Sequence, residues 1–92
     1  MKVIVRTYGD IARAFSGKLN VELEDGAKLR DLILKLGGKI ESSGTVSLGP
    51  YKLNDHALVV LVNGHNIHAL DGIDTTLKDG DFITFMPVLG GG

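Results

Sequence analysis

No cysteine occurs among the 92 residues of this chain. That absence excludes disulfides, a thiolate metal site, a nucleophilic thiol and an iron–sulfur cluster held by this chain alone. Excess positive charge is missing too. Ten Lys and Arg against eleven Asp and Glu leave a formal charge of −1, so the electrostatic footprint that a nucleic-acid backbone requires is not there. Nor is there a long apolar run at the start. Met1-Lys2-Val3-Ile4-Val5 meets Arg6 after three apolar residues, too few for a signal-peptide core or a membrane span. These absences predict a cytoplasmic protein that binds neither nucleic acid nor a membrane. No internal repeat or low-complexity tract is present.

What the chain does have is a composition suited to one folded domain. It is 43% hydrophobic and 23% charged, unlike disordered segments, which bury too little apolar surface to offset the entropy of ordering. At this length there is room for a single core. Val3, Val5 and Thr7 alternate with Ile4, Arg6 and Tyr8, and Leu19, Val21 and Leu23 alternate with Asn20 and Glu22. Period-2 alternation marks half-buried strands, and the two segments read as one hairpin. The link between them carries Ile11 and Phe15, and part of it is expected to pack on the core.

Asp25-Gly26 makes a turn, after which Leu29, Leu32, Ile33 and Leu36 fall at i, i+3, i+4 and i+7, the apolar stripe of a helix. Gly37-Gly38 stops it, since glycine tolerates the left-handed conformation of a C-terminal cap. The helix start has no obvious cap, because neither Ala27 nor Lys28 offers a side-chain oxygen. Residues 39–57 read as an insertion with some local packing from Val46, Leu48, Tyr51 and Leu53. The apolar run over 58–62 predicts a strand covered on both faces, and Asn63-Gly64 predicts a hairpin turn with a short returning strand at 67–70. Residues 75–81 form a compact turn leading into Phe82-Ile83-Thr84-Phe85-Met86. Pro87 ends the ladder, having no amide to donate. The order strand, strand, helix, strand, short strand, turn, strand predicts an α+β fold of the β-grasp, ubiquitin-like type. It is a mixed sheet with one main helix packed across it, a domain over residues 1–86 with a flexible tail over 87–92.

Along this frame stand Thr7-Tyr8-Gly9-Asp10 after the first strand, Asp25-Gly26-Ala27 before the helix and Leu29-Arg30-Asp31-Leu32 within it. Further on come Val62-Asn63-Gly64, Leu77-Lys78-Asp79-Gly80-Asp81, and Phe85-Met86-Pro87 leading to Gly91-Gly92. In that order the motifs resemble the MoaD/ThiS-like sulfur carriers, the small subunits of molybdopterin synthase and the carriers of the thiamine pathway, over nearly the whole chain. Length and the aromatic-Pro tail look more like the molybdopterin branch. Lys28 stands where that family commonly has a capping Thr, the insertion after the helix is long, and Gly90 adds a third glycine.

The resemblance implies a chain that is a substrate, with no catalysis of its own and no cofactor bound to it. An E1-like adenylating enzyme would activate the Gly92 carboxylate with ATP, and the acyl-adenylate would become a thiocarboxylate. That group would donate sulfur in molybdenum cofactor biosynthesis while the chain is docked on the large subunit of molybdopterin synthase. The same activated carboxylate also implies two alternatives, a protein modifier joined to lysines of target proteins and a sulfur carrier for thiamine or tRNA thiolation. A reading of another class is a plain β-grasp interaction module with an idle tail.

The tail suits delivery of a carboxylate. Its six residues extend about 20 Å at roughly 3.3–3.6 Å each, and Gly90, Gly91 and Gly92 present no Cβ to obstruct a narrow site. Ordering each glycine forfeits about 1–2 kcal/mol of backbone entropy, so Val88 and Leu89 are expected to anchor the tail in a partner's groove. The plainer alternative is a frayed terminus. In the last strand, alternation sets Ile83 and Phe85 against Phe82, Thr84 and Met86. If the first pair is core, Phe82 and Met86 join Ile4 in an apolar patch for a partner subunit. The alternatives are that the insertion covers them or that they are isolated surface hydrophobes.

Three further groupings have simpler explanations. His65 and His68, with His56 and Asp71 near in sequence, superficially suggest a metal site, but a solvated hairpin tip explains His65 beside Asn63-Gly64. Gly37-Gly38-Lys39 lacks the Ser or Thr and the spacing of a phosphate loop, Ile40 standing in their place. Asp79 and Asp81 flank Gly80 as turn formers. None of these predicts a metal or nucleotide on this chain.

Overall fold

The structure, a computed structural model, describes residues 1–15, 17–53 and 58–88. Alternation becomes pairing where the sequence predicts it. β1 (Lys2–Thr7) and β2 (Lys18–Glu22) form an antiparallel hairpin with Val3 opposite Val21 and Val5 opposite Leu19. Their link contains a short helix, α1 (Ile11–Phe15), which buries Ile11 and half-buries Phe15. The predicted packing of this link on the core is therefore present, in helical form.

The main helix, α2 (Leu29–Lys35), turns Leu29, Leu32 and Ile33 wholly inward. Two substitutes serve for the missing cap. The Asp31 carboxylate accepts from the Lys28 amide at 2.8 Å, the reach-back half of a capping box. The Leu29 amide donates to the Thr75 carbonyl at 2.9 Å. At the other end Gly37 takes φ +91, and the Gly38 and Gly37 amides donate to Ile33 and Leu34 at 2.8 and 3.0 Å. This is a Schellman arrangement, and Gly37-Gly38 is thus a helix stop.

The insertion has more structure than its sequence suggests. β3 (Lys39–Ile40), β4 (Val46–Leu48) and β5 (Tyr51–Lys52) form a separate antiparallel sheet in the order β3-β4-β5. Val46, Leu48 and Leu53 join the common core, and the Ser47 carbonyl comes close to Gly38 at the end of α2. This small sheet therefore lies on the helix side.

β6 (Leu58–Val62), β7 (His65–Asn66) and β8 (Phe82–Pro87) complete the main sheet, in the order β2-β1-β8-β6-β7. β8 runs parallel to β1, with Ile4 opposite Phe82 and Thr7 opposite Phe85, and antiparallel to β6, with Pro87 the last paired residue, opposite Leu58. The mixed sheet with α2 across it is the predicted β-grasp arrangement. Its inner face carries Val3, Val5, Val60, Ile83 and Phe85, all buried against α2.

Two predicted details differ. The returning strand is His65–Asn66, not residues 67–70, because the two-residue turn at Asn63-Gly64 brings His65 directly opposite Val62. Ile67–Ala69 is a 3-10 turn, capped by the Asn66 side chain, which accepts from the His68 amide at 2.9 Å. Nor is β6 covered on both faces. Val59 and Leu61 are only half-buried, since no layer lies over the outer face of β6 among the described residues.

Two substitutions test this packing. The Thr7 hydroxyl is buried with no hydrogen-bond partner among the described residues, so Thr7→Val is expected to raise stability by about 1 kcal/mol, seen as a higher urea midpoint. A Cβ on Gly38 would fall 2.5 Å from Ile33 Cγ2 and 2.8 Å from two carbonyl oxygens. Gly38→Ala is expected to lower stability by about 1–3 kcal/mol in the same titration.

Candidate functional site: the open sheet face and the exit of the tail

Because successive side chains of a strand point to opposite faces, the register that buries Ile83 and Phe85 turns Phe82, Thr84 and Met86 outward. On β1 the same register turns Ile4 and Arg6 outward, with Ile4 beside Phe82 and Arg6 beside Thr84. On β6 it adds Val59 beside Met86 and Leu61 beside Thr84. Ile4, Phe82, Val59 and Leu61 are half-buried by one another, while Met86 is 39% exposed. The predicted trio of Ile4, Phe82 and Met86 thus lies on one face of the sheet, apolar except for Thr84 and Arg6. The described part of the insertion packs on the opposite side of the sheet and does not cover it.

Sequence reasoning did not find Val59, Leu61, Tyr8 and Arg6 for this face. Their membership depends on strand register, which residue order alone does not supply. Tyr8 is 42% exposed, and its amide donates to the Phe85 carbonyl at 3.1 Å, which extends the β1–β8 ladder by one residue. The Arg6 guanidinium lies over the Phe82 ring, 5.2 Å from its centroid, within the range of a cation–π contact.

The chain leaves the sheet at the end of this face. Val88 continues the i+2 series of Phe82, Thr84 and Met86 and is 47% exposed. Gly9 sits beside the exit with φ +64, where a Cβ would fall 3.2 Å from Pro87 Cγ. Leu89, Gly90, Gly91 and Gly92 lie outside the described residues, as does His56.

The other sequence groupings resolve into structural roles. Asp79 accepts from the Lys2 amide at 2.7 Å. Asp81 accepts from the Lys78 amide at 2.8 Å and from the Asn63 side-chain amide at 2.9 Å. Both aspartates therefore fasten turns. His65 and His68 are exposed, and among the described residues no three His, Asp or Glu side chains gather in a metal-binding cluster. Among those residues, too, no helix is long and apolar enough to cross a membrane.

A β-grasp sheet of ubiquitin-like topology, with an open apolar face leading into a glycine tail, defines the class of the molecule. The sequence profile of the ThiS family matches residues 7–92, and the chain belongs to that family of ubiquitin-fold sulfur carriers. Solved structures agree. The chain is similar to the HVO 2177 protein of Haloferax volcanii, at 25% identity and a TM-score of 0.74, covering 100% of this chain and 87% of that one. Small archaeal modifier protein 1 of Methanosarcina acetivorans is 25% identical with a TM-score of 0.71, covering 99% and 96%. A chain from the protein–protein complex of subunit 1 and 2 of the molybdopterin-converting factor of Helicobacter pylori is 26% identical with a TM-score of 0.58, covering 100% of this chain and 100% of that one. The chain matches no curated protein.

The geometry at the exit makes one substitution informative. Gly9→Ala forces an L side chain into a left-handed conformation at about 1–2 kcal/mol and presses its methyl on Pro87. A lower thermal midpoint with unchanged far-ultraviolet dichroism is the expected result.

Proposed function

We propose that the chain is the sulfur-donating small subunit of a molybdopterin synthase, carrying sulfur as a thiocarboxylate on Gly92. The observation that carries this reading is the continuity of the open face with the tail: Phe82, Thr84, Met86 and Val88 lie in one i+2 series. A partner seated on that face would meet Val88, where the described chain leaves the sheet, at its edge. In the proposed cycle an E1-like enzyme adenylates the Gly92 carboxylate with ATP, releasing pyrophosphate, and a sulfide-level sulfur nucleophile then displaces AMP to leave the thiocarboxylate. The chain next docks on the large synthase subunit through Ile4, Phe82 and Met86. Val88, Leu89, Gly90 and Gly91 line the approach to the reacting centre, and ATP belongs to the activating partner. The similarity to one chain of a molybdopterin-converting factor solved as a complex of subunit 1 and 2 supports a two-subunit arrangement.

The similarity to a small archaeal modifier protein favours a second reading, in which activated Gly92 forms isopeptide bonds with lysines of target proteins. Intact mass spectrometry of protein purified from its own cells separates the two. Exchange of one oxygen for sulfur at Gly92 is expected for the carrier, and Gly92 linked to lysine for the modifier. Deleting Gly92 should abolish both products and fail to restore molybdenum-enzyme activity in a deficient strain. Restoration by the truncated chain would sink the carrier reading. Met86→Asp should keep the thermal midpoint within a few degrees, since Met86 is already 39% exposed, yet weaken binding to the large subunit by about tenfold or more.

A further inference from the structure

Arg6 and Lys18 stand directly opposite each other where β1 pairs with β2. Both are on the open face, and like charges placed directly across an antiparallel pair are destabilising. Among the described residues no acid pairs with either of them. The salt bridges among the described residues join Met1 to Asp25 and Arg30 to Asp74. The described neighbours of the pair on that face are Ile4, Tyr8, Asn20, Phe82 and Thr84, none of them charged, and Glu22 on the same face lies opposite Lys2. Arg6 is also held in place. Its guanidinium stacks over Phe82, and its Nη1 donates to the Tyr8 hydroxyl at 3.4 Å.

A partner that covers Phe82 must therefore cover Arg6 as well. A guanidinium taken out of water without a counter-charge is strongly unfavourable, and the cost is offset only when a hydrogen-bonded anion meets it. A cation over Phe82 with a second cation opposite it, and no acid paired with either among the described residues, constrains what can dock. Resting on the docking reading above, we infer that the partner surface seated on the open face is apolar with an Asp or Glu carboxylate placed between Arg6 and Lys18. The pair selects partners bearing that carboxylate and speeds their approach, because complementary charge raises association rates in a salt-dependent way.

Lys18→Glu tests this with two readouts that move in opposite directions. It sets a carboxylate opposite Arg6, so the thermal midpoint of the free chain is expected to rise by about 2–5 °C. Binding to the adenylating enzyme and to the large synthase subunit of the same organism is expected to weaken by about tenfold or more, with a flatter salt dependence. Arg6→Gln, a neutral change, should weaken binding in the same direction. Lys52→Glu, on the small sheet, alters the net charge by the same amount and should leave binding unchanged. If Lys18→Glu and Arg6→Gln bind like the parent, the carboxylate is not there, and the inference fails while docking on the open face stands. Equal weakening by Lys52→Glu would point to net charge and overturn the inference as well. If Met86→Asp also binds like the parent, or the parent binds neither protein, the docking reading fails and the inference with it. Pyrophosphate supplies the remaining arm. If it shifts the Arg6 and Lys18 amide resonances of the free chain while Lys18→Glu leaves protein binding intact, the anion is a nucleotide phosphate and not a protein carboxylate.

Discussion

The parallel pairing of β1 with β8 is the contact on which the rest of the molecule depends. Parallel neighbours cannot be joined by a hairpin, so everything between Thr7 and Phe82 must travel around the sheet and return. The register is pinned at both ends. Near the start, the Lys2 amide donates to Asp79, the Gly80 amide to the Lys2 carbonyl and the Ile4 amide to the Asp81 carbonyl. Near the finish, the Tyr8 amide donates to the Phe85 carbonyl. A slip of one residue would move every side chain to the other face, exchanging Ile83 and Phe85 for Phe82 and Thr84. The pins therefore define the core and the open face together.

The turn residues serve that register more than any chemistry. Asn63 shows how. It occupies φ +52 in the β6–β7 turn, its side-chain oxygen accepts from the Phe82 amide at 3.0 Å, and its side-chain nitrogen donates to Asp81 at 2.9 Å. One asparagine thus joins the tip of one hairpin to the start of β8, whose outward residues form the open face. Asp79 and Asp81 do similar work from the other side. Their carboxylates are occupied by backbone and side-chain amides, the role that turn chemistry assigns to such residues.

Sequence pattern revealed those parts whose periodicity and punctuation agree. β1, β2 and β8 alternate, α2 carries a clean stripe between Asp25-Gly26 and Gly37-Gly38, and Asn63-Gly64 marks its turn. The reach-back from Asp31 to Lys28 was also present in the spacing, three residues apart, although Lys28 concealed it by offering no acceptor. Other parts were not legible. α1 is only five residues long, too short for a stripe, and β3 and β5 are two residues each. Such elements are decided by tertiary contacts with the core. The apolar run in β6 was misleading for a physical reason. Val59 and Leu61 look like core because they belong to an apolar surface, and sequence does not separate a residue covered by its own fold from one left on an open face. Arg6 interrupts that surface in the structure, but its position over Phe82 is set by the parallel register.

The open face and the tail divide one problem between them. A tail able to enter a narrow site must lack side chains, and glycines lose the most freedom when they are ordered. Affinity must then come from elsewhere. On the docking reading it comes from a face that the fold has already ordered, so binding there costs little further conformational entropy. Attachment matters as much as affinity. Pro87 is paired with Leu58 and lies against Gly9, so the chain leaves the sheet at a fixed point beside the face. Once the face is seated, entry of the tail becomes an intramolecular event whose effective concentration depends on the length of chain beyond that point. On the docking reading, a tail rooted further from Met86 would dilute this advantage.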